Sequence, residues 1–333
     1  MFSTVSGRAS PHPDHPPTAL TVSDRQKKGP AVEYRRLGQT NTEISSIGLG
    51  CVTFGREIDQ QTAFAIMDRA LEHGINLFDT AEAYASGASE DTIGQWFTDR
   101  QSRHKVVLAT KVAGAQTRAH IFASAEDSLR RLRTDCIDLF KVHNWDPEVP
   151  LTETIEALNT LVEQGKARHV GCSNYDAEQL ATALVTADDN GWARMQATEP
   201  NYNLVVRDIE EALLPLCAKQ QIGVISYSPL GAGFLTGKYH RNAEVPTGTR
   251  FDVIPGHQDI YFKDKYFDIV EGLRAKASEL DRSMIELALA WAIGQPGITS
   301  VLIGARDIEQ VDQAFAAEAA GLSDELRTEL SYF

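Results

Sequence analysis

The feature that most limits how this chain can fold is a repeat of pattern rather than of letters. From Ile47 onward, short apolar runs of strand character alternate with amphipathic helical stretches. The strand-like runs fall at 47–51, 75–79, 105–110, 137–142, 167–172, 194–198, 222–227 and 298–303. The first helix shows the helical half of the pattern: Asp59 caps it, Gly74 stops it, and Ala63, Ile66, Met67, Ala70 and Leu71 form its buried stripe. Alternating strands and helices imply a parallel sheet, and eight such units close into a barrel. The expected class is therefore α/β, a (β/α)8 TIM barrel.

Three departures from the repeat are legible. Residues 32–46 alternate around the turn Gly38-Gln39-Thr40-Asn41, which predicts a short N-terminal hairpin. A long loop, 229–265, follows the seventh strand, and Pro215 should kink a helix expected at 208–220. Residues 1–30 hold five of the thirteen prolines and little periodic apolar character, so they read as a flexible leader to a barrel domain at 31–333.

The strand ends carry the chemistry. Asp79, Lys111 and His143 are spaced 32 residues apart, and Ser173-Asn174 follow about one unit later. A βα repeat of this length brings all of them to one rim, where barrel enzymes keep their active sites. Tyr84 lies in the loop after Asp79, ahead of a helix that Ser89 is expected to cap. Taken singly, each residue has a plain structural reading: a capping aspartate, a surface lysine, a structural histidine, a half-buried loop tyrosine. Together they suit proton transfer to a carbonyl oxygen. Lys111 would favour tyrosinate and lower the pKa of Tyr84, Asp79 would hold Lys111 charged, and His143 would donate a hydrogen bond to the same oxygen. None of the four supplies a reducing equivalent, so a hydride must come from a cofactor.

These stretches resemble the aldo-keto reductase superfamily. The similarity is carried by FDTAEAY (78–84) with SE (89–90), ATK (109–111), KVHNWDP (141–147), GCSNY (171–175), YSPLGAGFLTGK (227–238) and VLIGARDIEQ (301–310). The resemblance implies a barrel oxidoreductase that binds NADP(H) in extended form and uses Asp79, Tyr84, Lys111 and His143, with Tyr84 as proton donor. It also implies that Ser173, Asn174 and Gln196 hold the nicotinamide carboxamide, with Asp79 nearby, and that Tyr227 stacks on the ring. Ser228, Leu230, Gly231, Gly233 and Lys238 would clasp the pyrophosphate, and Gly304, Arg306 and Gln310 the 2′-phosphate and adenine. His143 would face the substrate. Phe54 and Trp145 are either substrate walls or core residues, and specificity is expected from loops 112–117 and 229–265. Gln313-Ala314 stand where the family commonly has Glu-Asn, and Cys51-Val52 replace a common Thr-aromatic pair.

Composition narrows the partners. A net charge of −14 disfavours nucleic acid and anionic membranes, and the apolar runs are too short to span a bilayer. The four cysteines, with no C-x-x-C pair, suggest reduced thiols, a cytoplasmic location and no metal site. The expected partner is a small carbonyl or sugar substrate; the oligomeric state is not legible. Two rival functions share these residues: a Schiff-base aldolase using Lys111 as its nucleophile, and a cofactor-binding regulatory subunit of channels.

Overall fold

The computed structural model describes residues 32–333. Within them, eight parallel strands close into a barrel, each beside its neighbour in sequence and the last beside the first. Its strands are β3 (Ile47–Gly50), β4 (Leu77–Asp79), β5 (Val107–Val112), β6 (Ile137–Val142), β7 (Ala167–Ser173), β8 (Met195–Glu199), β9 (Gly223–Ser226) and β10 (Ser300–Gly304). The eight-stranded expectation holds strand for strand. The predicted leader, residues 1–30, lies outside the described residues.

Two strands precede the barrel and close its N-terminal end. β1 (Tyr34–Arg36) and β2 (Glu43–Ser45) pair antiparallel, as the alternation predicts. Their fully buried Leu37 and Ile44 join Leu77, Val107, Leu139, Ala197, Ile225 and Leu302 in an inner apolar cluster. Gly38 makes the close approach possible: its φ is +56°, and a Cβ there would stand 2.4 Å from the carbonyl oxygen of Gln196. Larger residues are excluded on both counts.

A second, larger cluster lies between the strands and the surrounding helices. The first of those helices, Gln60–Glu72, is capped by the Asp59 side chain accepting from the Thr62 N–H, as its sequence suggested. Two local expectations need correction. Pro215 does not kink a long helix; the helix starts at Leu213, so the proline sits in the first turn, where its missing N–H removes no hydrogen bond. Ser89 does not cap its helix, which runs Ala88–Arg100 with Gly87 at the cap. The buried Ser89 Oγ instead donates to the Cys51 carbonyl at 2.8 Å, tying this helix to the end of β3.

An aromatic patch anchors the long loop after β9 in this larger cluster. Phe234, Phe251, Tyr261, Phe262 and Phe267 pack ring against ring, with centroids 5.0–6.5 Å apart. Two short helices, Arg250–Val253 and Gln258–Tyr261, are hung on that cluster beside the barrel mouth.

Candidate active site

Side chains alternate along a strand, so every second residue of each barrel strand faces the interior. On β6 the inner apolar Leu139 is followed by Lys141, and on β8 Ala197 is followed by Glu199. Asp79 ends β4, and Lys111 on β5 stands in register beside Lys141. The uppermost layer of the interior is thus four charges, all of them buried.

They form a closed ring of alternating sign. One Asp79 oxygen pairs with Lys111 and the other with Lys141; Glu199 accepts from Lys141 and lies 3.1 Å from the Lys111 ammonium. Lys111 also donates to the Thr80 carbonyl at 3.1 Å and to the Tyr84 hydroxyl at 3.3 Å. Burial raises the Asp79 pKa, but the two ammonium groups outweigh it and leave the carboxyl below its ordinary value. Glu199 moves upward, from burial first and the Asp79 charge second. Burial opposes the Lys111 charge, yet Asp79 and Glu199 prevail and its pKa is raised. A Schiff-base nucleophile must be a free neutral amine, so this lysine does not suit the aldolase reading.

Above the ring stand Tyr84 and His143, their rings edge to face at 5.9 Å. Lys111 acts on Tyr84 in the expected sense, lowering its pKa, but it does not decide the net direction. Burial is the largest influence, and Asp79 and Glu199 add to it against Lys111, so the phenol is pushed up to about 12. His143 is pushed down to about 4, by burial first and then by Lys111. It is therefore neutral at ordinary pH, and its buried Nδ1 has no hydrogen-bond partner among the described residues. A neutral phenol and a neutral imidazole can both donate a hydrogen bond to one oxygen in the cleft.

That cleft has a volume of about 760 Å³, within the range of cofactor sites. Asp79, Tyr84, His143, Ser173, Asn174 and Tyr227 line it at the ring end. Tyr227 donates to the Asn174 side chain at 2.8 Å, and Asn174 in turn donates to the His143 carbonyl at 3.0 Å. Ser228, Leu230, Gly233 and Lys238 carry the lining along the loop to Gly304, Arg306 and Gln310. Burial first, and then the neighbouring Arg306 charge, lower the pKa of Lys238. Neither holds an ion-pair partner among the described residues. Two unpaired cations at one end of a long cleft, beside the start of the helix Ile308–Ala320, fit a phosphate-bearing dinucleotide.

Several expected site residues are elsewhere. Gln196 is three residues too deep on β8 and of the wrong parity. Its side chain accepts from the Gln39 N–H at 3.0 Å, so it belongs to the hairpin end of the barrel. Glu199 occupies the cleft position instead. Phe54 is fully buried core, and Trp145 packs edge-on against Tyr175 at 5.1 Å rather than lining the cleft. Gly231 is buried against the Tyr261 ring and supports the loop from behind. The lining draws nothing from loop 112–117; the loop after β3 contributes Val52, Thr53 and Glu57. Arg250 bonds Glu57 at 3.0 Å, joining that loop to the long one. The signal that would have found Lys141 and Glu199 was present in the alternation of β6 and β8.

The sequence profile of the Aldo/keto reductase family matches residues 46–331, nearly all of the described chain. The chain belongs to this family. Its members generally use NAD(P)H. Among curated relatives of this aldo/keto reductase, the uncharacterized oxidoreductase YrpG of Bacillus subtilis (strain 168) is 34% identical over 318 residues, covering 89% of this chain and 94% of that one. The aldo-keto reductase YhdN of the same organism is 35% identical over 295 residues, 84% and 87% of the two chains. A probable voltage-gated potassium channel subunit beta of Arabidopsis thaliana is 32% identical over 300 residues, 86% and 91% of the two chains.

Proposed function

We propose that this aldo/keto reductase is an NADP(H)-dependent oxidoreductase that reduces small aldehydes or ketones, or oxidises the corresponding alcohols or aldoses. The observation that carries this reading is the Tyr84 hydroxyl, held at the cleft by a buried ammonium 3.3 Å away and flanked by His143. Bound NADPH supplies the hydride. Tyr84 gives its proton to the carbonyl oxygen, while Lys111 stabilises the tyrosinate left behind. His143, neutral, donates a hydrogen bond that orients the same oxygen and offsets its developing charge. Lys238 and Arg306 hold the phosphates, and Ser173 and Asn174 the carboxamide. In the reverse direction the tyrosinate takes the proton from the alcohol.

The similarity to a channel subunit beta supports a second reading, a cofactor-binding partner with slow or no turnover. One experiment separates the two: NADPH consumption over a panel of small aldehydes, ketones and aldoses, with NADPH affinity measured in parallel. Turnover of at least one carbonyl class is expected. Tight NADPH binding with no turnover across the panel would favour the regulatory reading instead.

A further inference from the structure

Two of the four buried charges have no part in the chemistry just described. Among the described residues, Lys141 is absent from the cleft lining and pairs only with Asp79 and Glu199, while Glu199 lines the cleft without a hydrogen bond to Tyr84 or His143. Burying a second ion pair beside a first is costly unless geometry and hydrogen bonds compensate. The barrel nevertheless makes room for it. Gly171, opposite Lys141 on β7, has ordinary extended backbone, but a Cβ there would stand 3.3 Å from the Lys141 stem and 2.6 Å from the Ala197 carbonyl oxygen.

We propose that Lys141 and Glu199 are positioning residues of the proton-donating site, closing a ring of alternating charge that sets how much of the Lys111 charge acts on Tyr84. Without Glu199, Lys111 and Lys141 would share Asp79 alone, and an excess positive charge would sit under the phenol. With Glu199 present, Lys111 is neutralised from two sides. Glu199 and Asp79 both oppose ionisation of Tyr84, and Lys111 favours it. Arg250, from the long loop, also lies near enough for its charge to interact with Tyr84; the remaining titratable groups facing the ring are neutral at ordinary pH. Burial raises the thiols of Cys51 and Cys172 and the phenol of Tyr227, and it lowers His143. The ring would thus keep the donor protonated until a substrate oxygen accepts the proton.

This inference rests on Tyr84 as donor, but its test needs no turnover. Ultraviolet tyrosinate absorbance is followed against pH, with the Tyr84→Phe background subtracted, for wild type, Glu199→Gln and the double variant Glu199→Gln/Lys141→Met. Glu199→Gln should bring the Tyr84 transition down by roughly one to three pH units, the span for a nearby charge. The double variant, which removes one charge of each sign, should move it back up. Glu199→Met serves in place of glutamine if the amide disturbs folding, as judged by circular dichroism. If the pair is merely structural, the variants melt earlier and the titration stays where it is. That result, or an upward shift in Glu199→Gln, overturns the proposal. A normal shift together with active Tyr84→Phe would instead leave the ring intact and refute the donor reading.

Discussion

The two ends of the barrel are built from the same strands and have opposite characters. At the N-terminal end the interior column finishes in Leu37 and Ile44, both fully buried, with Gln196 bonded to the hairpin backbone. At the C-terminal end, two residues beyond Leu139 on β6 and Ala197 on β8, it finishes in Lys141 and Glu199. Burying each of the hairpin side chains contributes roughly 1.5–3 kcal/mol. The charged layer contributes no such gain by itself, because desolvation of ion pairs cancels much of their attraction. One end holds the barrel together; the other keeps charges where hydrophobic residues would be more stable. Function accounts for that second choice.

The comparison can be broken most forcefully at Lys141. Lys141→Met leaves Asp79 and Glu199 to share Lys111, an uncompensated buried charge, and should cost about 3–5 kcal/mol of stability by denaturant unfolding. A cost near zero would mean that water reaches the ring. A middle-sized effect is expected at the far end of the cleft. Arg306→Met should weaken NADPH binding by roughly 1.5–3 kcal/mol, as for a lost charged hydrogen bond, and spare NADH in titration calorimetry. Equal weakening of both cofactors would remove Arg306 from the 2′-phosphate. The smallest effect belongs to the hairpin end. Gln196→Ala should lower stability by about 0.5–1.5 kcal/mol, the worth of one hydrogen bond, and leave kcat and KM unchanged. A rise in cofactor KM would return Gln196 to the cleft.

The fold was legible because its signal is periodic: eight apolar strands, each followed by an amphipathic helix, leave few alternatives. Asp79, Tyr84, Lys111 and His143 were legible for the same reason, since equal spacing brings strand ends to one rim. What escaped was depth and parity within a strand. The resemblance points to Gln196 on β8, but Glu199 has the parity and the position that reach the mouth. Lys141 was in plain view inside KVHNWDP, but a lysine within a strand reads as a surface charge until the inward alternation with Leu139 is followed. The sequence shows one neighbour of Tyr84, Lys111, whose charge by itself would lower the phenol's pKa. Burial and two carboxylates act the other way.

The most direct test of the account is the hydride-transfer step with Tyr84 intact and removed. Single-turnover reduction of an active carbonyl substrate is followed with NADPH and deuterated NADPH, for wild type and Tyr84→Phe, across a pH series. His143 is neutral above about 4 and Tyr84 is protonated below about 12, so the wild-type rate should hold steady over the range between. Tyr84→Phe should slow the step by about 10²–10⁴ while binding NADPH normally. A near-normal rate in Tyr84→Phe would contradict the account and make His143 the first candidate for the donor.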